Sequence, residues 1–331
     1  MVSLLQLTRL ALVFTAVSNS WLMIFLAYGL EPQTRRNTGL LQDYPLWAFL
    51  ILGAAVAAGL HTYGIALNDL LDARYDRLFS PHRPLAAGRV GQNTAVVLCV
   101  GSLLLASTAA IFMGKASTLL FLLAAALVLF YNLLGKFVPA AGILIVGAVR
   151  ALNMILPNPD LSFAWPVWVT MTHVVACWTI AYQIEGKRPR LQPASWGLVC
   201  GGWGIGTLLL LYWSDRTPSP AAGHHALWLG PVLAAAAFAL AALMTLRRAG
   251  AGGRTRHDAG AAFLRLALLW LIVYDAAWLA GAGLYVQALT HLGLLALAYG
   301  SMRLMSAVAH LTDPALTYRL RAQPPASDAH G

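Results

Sequence analysis

Apolar positions along this chain fall in long unbroken runs, not in the strict alternation of a half-buried strand. The runs cover residues 10–30, 45–67, 93–113, 117–134, 138–156, 164–182, 195–213, 226–246, 261–283 and 286–310. A helix needs about 20 apolar residues to cross the hydrocarbon core of a bilayer. Continuous runs of that length favour helices over strands, and in lipid only helices or closed barrels satisfy every backbone group. The pattern predicts an all-α, polytopic transmembrane helix bundle of about nine to ten helices, with a hairpin near residues 283–287. Between the spans, residues 68–92 and 183–194 read as charged loops, and residues 247–260 as a flexible Gly/Arg connector.

Composition excludes a water-soluble domain. Apolar residues make up 59% of the 331 positions and charged residues 10%, against about a quarter charged in a soluble protein. No polar stretch interrupts the spans, so residues 1–321 are expected to form one domain, followed by a disordered tail over 322–331. The first run continues through Trp21 to Leu30, too long for a secretory signal. Cys99, Cys177 and Cys200 lack metal or redox spacing and read as small packing residues.

Charge sets the expected orientation. With the N-terminus inside, the inner loops and ends hold Arg74, Arg77, Arg83, Arg89, Lys136, Lys187, Arg188, Arg190, Arg247, Arg248 and further arginines. The outer loops hold Arg35, Arg36, Lys115 and Arg216. Such asymmetry places the basic loops in the cytoplasm, and the expected location is the bacterial inner (cell) membrane. Basic loops beside anionic lipid headgroups account for the net charge of +10 without nucleic acid.

The densest acidic segment is Asn68-Asp69-Leu70-Leu71-Asp72-Ala73-Arg74-Tyr75-Asp76, directly after the second span. Continued as a helix, it puts Asn68, Asp72 and Asp76 on one face, with Asp69 flanking it. Stacked carboxylates repel unless a cation neutralises them. Mg²⁺ takes hard oxygen ligands and binds through a few carboxylates together with substrate phosphates. The alternative is a solvated helix whose acids pair with Arg74 and Arg77. Downstream, Arg83-Pro84-Leu85-Ala86-Ala87-Gly88-Arg89 supplies cations for phosphate oxygens.

This pair of segments, between the second and third spans, resembles the UbiA superfamily of intramembrane prenyltransferases. The resemblance implies that Asn68, Asp69, Asp72 and Asp76 hold Mg²⁺ and the diphosphate of an isoprenyl donor, with Arg83 supporting the motif or a phosphate. It also implies roles at the diphosphate for Tyr131 and Lys136, although these are five residues apart here and the family's spacing is four. The implied activity is transfer of an isoprenyl group to an aromatic or lipid-like acceptor with release of diphosphate. Arg150-Ala151-Leu152-Asn153 and Tyr274-Asp275-Ala276-Ala277 further resemble the EboC-like branch, which implies a role in making or moving an exported secondary metabolite.

Arg150 and Asn153 lie on one face of an apolar span. An intramembrane arginine is costly and must face the interior or a watery cavity, so both are expected to line a substrate cavity, the alternative being a helix-to-helix hydrogen bond. Asn19, His61, His173 and Asp275 raise the same expectation. Where the family carries a second acidic motif, with two aspartates four apart, this chain has Gln183 and Glu185. The expectation is one firmly held Mg²⁺, with Lys187 and Arg188 contacting phosphate beside Glu185; the alternative is that both only anchor the loop on the inner side. The reduced second motif keeps another reading open, a non-catalytic membrane protein that binds or moves a lipid diphosphate or metabolite.

Overall fold

The structure is a computed structural model that describes residues 10–30, 45–80, 83–160, 163–187, 189–214, 226–252 and 255–312. The expected tail, 322–331, lies outside the described residues. Ten α-helices follow in chain order: α1 (Leu10–Leu30), α2 (Leu46–Phe79), α3 (Gln92–Met113), α4 (Lys115–Leu133), α5 (Pro139–Ile155), α6 (Trp165–Glu185), α7 (Pro193–Ser214), α8 (Ala226–Ala251), α9 (Arg256–Gly281) and α10 (Tyr285–Thr312). Eight of them are long and apolar enough to cross a membrane, and α5 is a shorter apolar helix. The protein is therefore an all-α integral membrane bundle. The expected hairpin near 283–287 is the turn at Ala282–Leu284, with Gly283 at φ 75°.

Two predicted loops are largely helical. Residues 68–79 continue α2, whose 34 residues span about 50 Å at 1.5 Å per residue. That exceeds the ~30 Å hydrocarbon core, so one end of α2 stands clear of the lipid and carries the acidic motif there. The Gly/Arg connector shrinks likewise, because α8 runs to Ala251 and α9 begins at Arg256. Thr255 caps α9, its hydroxyl accepting a hydrogen bond from the Asp258 amide at 3.2 Å.

Between α3 and α4 the chain reverses through Gly114 alone, at φ 113°, a conformation that side-chain-bearing residues rarely adopt. Helices meet where side chains are small. A Cβ added at Gly59 would stand 2.7 Å from the Ser102 carbonyl of α3, and one at Gly230 would stand 2.5 Å from the Ala277 carbonyl of α9. Without a hydrophobic drive inside lipid, such close approach supplies the packing energy. Large apolar side chains such as Val97, Leu104, Leu198, Leu208 and Leu233 stay exposed on the outer surface, as a lipid-facing surface requires.

Trp165 starts α6 at the end away from Glu185 and joins an edge-to-face set with Trp168, Trp228 and Trp278. Aromatic residues concentrate at membrane interfaces. The bundle thus has an aromatic end and an acidic-basic end.

Candidate active site

At the polar end, the acidic motif divides between two faces of α2. Asn68 and Asp72 line a cavity, whereas Asp69 and Asp76 are buried beside Arg83. The grouping differs from the expected one, in which Asp76 shares a face with Asn68 and Asp72. Each four-residue step advances about 40° around a helix with 3.6 residues per turn, so two steps rotate Asp76 about 80° from Asn68. Seven residues fall only about 20° short of two turns, which aligns Asp69 with Asp76.

Arg83 joins these two acids. Its Nη1 donates to Asp76 Oδ2 at 2.7 Å and lies 3.6 Å from Asp69 Oδ1. The segment that carries it folds on itself. The Arg83 amide donates to the Ser80 carbonyl, the Ala87 amide to the Arg83 carbonyl, and the Arg89 amide to the Pro84 carbonyl, at 3.0, 2.8 and 2.9 Å. Gly88 sits in the left-handed region at φ 70°. Leu85 and Val90 then pack with Leu70 and Ala73 of α2 and Ala95 and Leu98 of α3, which fixes the turn against the acidic helix.

Asp72 meets a cation from another part of the chain. Lys136 Nζ donates to its Oδ1 at 2.5 Å. Among the described residues, the ion pairs of the motif thus run to Arg83 and Lys136, not to Arg74 or Arg77. Lys136 lies in a 3₁₀ turn, Gly135–Phe137, because α4 ends at Leu133. Neither the five-residue spacing from Tyr131 nor the four-residue spacing from Asn132 to Lys136 is therefore a helical one here. Tyr131 and Asn132 themselves line the cavity. Asn132 Nδ2 donates to the Val128 carbonyl at 2.9 Å and the Gly64 carbonyl at 3.4 Å, tying α4 to α2.

The chain just past the end of α6 reaches the same cavity through Lys187. Glu185 is the last residue of α6, and Gly186 caps the helix at φ 63°. The buried Glu185 carboxylate is 2.8 Å from Lys187 Nζ and 3.5 Å from His257 Nδ1. Lys187 also lines the cavity. Arg188 lies outside the described residues.

The cavity itself has a volume of about 440 Å³. Its polar rim includes Asn68, Asp72, Arg83 and Lys187. Its body is formed largely by apolar side chains, among them Leu12, Leu60, Ile65, Val128, Ile145 and Trp178. Arg150 and Asn153 also line it. Asn153 Nδ2 donates to the Ala16 carbonyl at 2.9 Å. Arg150 donates from Nη2 to Thr15 Oγ1 at 3.0 Å and from Nη1 to Asn19 Oδ1 at 3.5 Å. Asn19 Nδ2 in turn donates to Asp275 at 2.9 and 3.1 Å, and Ser18 Oγ donates to Asp275 at 2.6 Å. The intramembrane arginine is thereby linked to a buried carboxylate through one asparagine.

Of the other suspected polar residues, His61 lines the cavity. His173 instead donates from Nε2 to the Ala267 carbonyl at 2.9 Å and packs against Phe238 and Tyr274, as a core histidine does. Thr15, Ser18 and His257 escape sequence reasoning. Short hydroxyl residues in an apolar run carry no distinct signal, and His257 sits in a segment that reads as a connector.

No family model and no curated protein matches the chain. Among solved structures, it is similar to a digeranylgeranylglyceryl phosphate synthase at 16% identity, over 93% of this chain and 97% of that one, with a TM-score of 0.45. It is similar to a UbiA homolog from Aeropyrum pernix K1 at 18% identity, over 88% and 97%, with a TM-score of 0.44. It is also similar to a UbiA homolog from Archaeoglobus fulgidus bound to GPP and Mg²⁺, at 15% identity, over 83% and 99%, with a TM-score of 0.47. Identities this low transfer neither substrate nor activity, so the chemistry must come from this chain's own residues.

Those residues fit Mg²⁺ in one way only. Among the described residues, no group of three His, Cys, Asp or Glu side chains converges as a closed metal cage. Mg²⁺ does not require one, since one or two carboxylates suffice when phosphate oxygens and water complete its shell. Asn68 and Asp72 present such hard oxygens to the cavity, whereas Asp69 and Asp76 are buried and turned to Arg83.

Proposed function

We propose that the chain is a Mg²⁺-dependent intramembrane prenyltransferase of the UbiA superfamily, with residues 1–321 forming the working domain and the acidic end in the cytoplasm. One observation carries the reading. A single cavity joins Asn68, Asp72, Arg83 and Lys187 at its rim to an apolar body within the bundle. An isoprenyl diphosphate has the matching division, an anionic head on an apolar chain.

Together with phosphate oxygens and water, Asn68 and Asp72 would hold Mg²⁺, which would supply positive charge to the leaving diphosphate, while Asp69 and Asp76 would hold Arg83 beside them. Arg83 and Lys136 keep the acidic helix neutral enough to stand beside an anion, and they add donors for phosphate oxygens. Tyr131 and Lys187 complete the rim. The apolar wall excludes water from the reacting allylic carbon. There the carbon–oxygen bond breaks with its electron pair going to the diphosphate. The acceptor's electron pair forms the new bond, and the acceptor loses a proton. Arg150 and Asn153 orient the acceptor, an aromatic or lipid-like molecule.

A second reading has its own support. Each site carboxylate already meets a protein cation: Asp69 and Asp76 at Arg83, Asp72 at Lys136, and Glu185 at Lys187. That balance suits a protein that binds a lipid diphosphate without turning it over. Membranes containing the protein, given prenyl diphosphates of increasing length, separate the two. Mg²⁺-dependent pyrophosphate release above control membranes supports the enzyme. Binding of a prenyl diphosphate without any release establishes the second reading instead.

A further inference from the structure

The start of α9 packs against Glu185, whose partner Lys187 lines the cavity. The Glu185 side chain is only 4% exposed, although it lies at a helix end bordering water. Room for it exists because residue 260 is glycine. A Cβ there would stand 2.3 Å from Glu185 Cγ and 3.1 Å from its Oε1. His257, one helical turn earlier on the same face of α9, places Nδ1 3.5 Å from Glu185 Oε2. The same oxygen is 2.8 Å from Lys187 Nζ. Lys187 lines the cavity that Asn68, Asp72 and Arg83 also line.

We propose that Glu185, His257 and Gly260 form a clamp that positions Lys187 as a second cationic contact for the donor diphosphate, making the start of α9 part of the site. This rests on the diphosphate-site reading above. A lysine is a point charge on a flexible four-carbon stem, and holding it in place beforehand removes an ordering cost from binding. Its ammonium has three N–H donors, so pairing with Glu185 leaves donors for phosphate. Glu185 then acts as an anchor for the cation, and His257 and Gly260 act through Glu185 as positioning residues.

The test is calorimetric binding of inorganic pyrophosphate to the purified full-length protein, with and without Mg²⁺. Lys187→Gln is expected to weaken binding about tenfold in both conditions, the loss of one charge-assisted contact, and Lys187→Arg is expected to restore most of it. Gly260→Ala and His257→Gln are expected to weaken binding in the Lys187 protein and to add nothing in the Lys187→Gln background, because coupled residues are not additive. If Lys187→Gln binds normally while Lys136→Gln is weakened, this inference fails and the diphosphate site stands. If Gly260→Ala has the same effect with or without Lys187, the glycine acts on folding alone and the clamp is wrong. If the unaltered protein binds no pyrophosphate in either condition, both readings fall.

Discussion

Lys136 and Asp72 lie 64 residues apart and form an ion pair between the 3₁₀ turn after α4 and the cavity face of α2. The pair is partly shielded, with side-chain exposures of 15% and 26%. It pairs a carboxylate that lines the cavity with a counter-charge from another part of the chain.

Asp72→Asn keeps the shape of that carboxylate and removes its charge. Turnover is expected to fall about 10²–10³-fold, the range for losing one charge-stabilising group, with insertion and folding retained. Lys136→Gln in the Asp72→Asn background should cost little more, since the two act as a unit. Mg²⁺-dependent pyrophosphate release measures both variants. Full turnover in Asp72→Asn would reduce the motif to a structural role.

Arg83→Gln removes the cation that pairs with buried Asp76 and lies beside Asp69. Breaking a buried ion pair from one side costs roughly 3–5 kcal/mol, and the partial exposure of Arg83 puts the loss near or below the lower figure. Thermal unfolding in detergent should show it, and Asp76→Asn should recover part of it. An unchanged melting profile for Arg83→Gln would mean that water already satisfies Asp69 and Asp76.

Asp275 provides the counter-charge to which Arg150 is linked through Asn19. Asp275→Ala leaves a buried guanidinium linked to no carboxylate and should destabilise the bundle by a few kcal/mol, on the order of a broken buried pair. The double variant Asp275→Leu with Arg150→Leu should unfold at a higher temperature than Asp275→Ala alone. The reverse order would show that the charges do not depend on each other.

Leu78, at the free end of α2, and Gln192, before α7, are both exposed. Cysteines placed there, with Cys200 replaced, are expected to label only from the cytoplasmic side of sealed vesicles. Labelling of both from outside would invert the proposed orientation, and labelling from opposite sides would contradict the shared polar end.

Much of this protein is determined locally and can be read from its sequence. An apolar run near 20 residues long has only a helix available to it in lipid, so the ten helices of the bundle are legible one by one. The acidic segment is legible for the same kind of reason, because carboxylates crowded at a helix end stand out in a chain that is 10% charged. Arg150 and Asn153 are legible as cavity residues because intramembrane polar groups are costly.

The tertiary structure decided which groups meet. Asp76 turns toward Asp69 and Arg83 because small rotations add up along a helix, and a packed neighbour at Leu85 and Val90 holds Arg83 there. Lys136 reaches Asp72, Asn19 links Arg150 to Asp275, and His257 reaches Glu185 across long stretches of sequence. Each of these contacts depends on how far one helix is rotated and shifted against another. That rotation is set by interhelical packing at residues such as Gly59 and Gly260, and the span-by-span pattern of apolar residues carries no record of it.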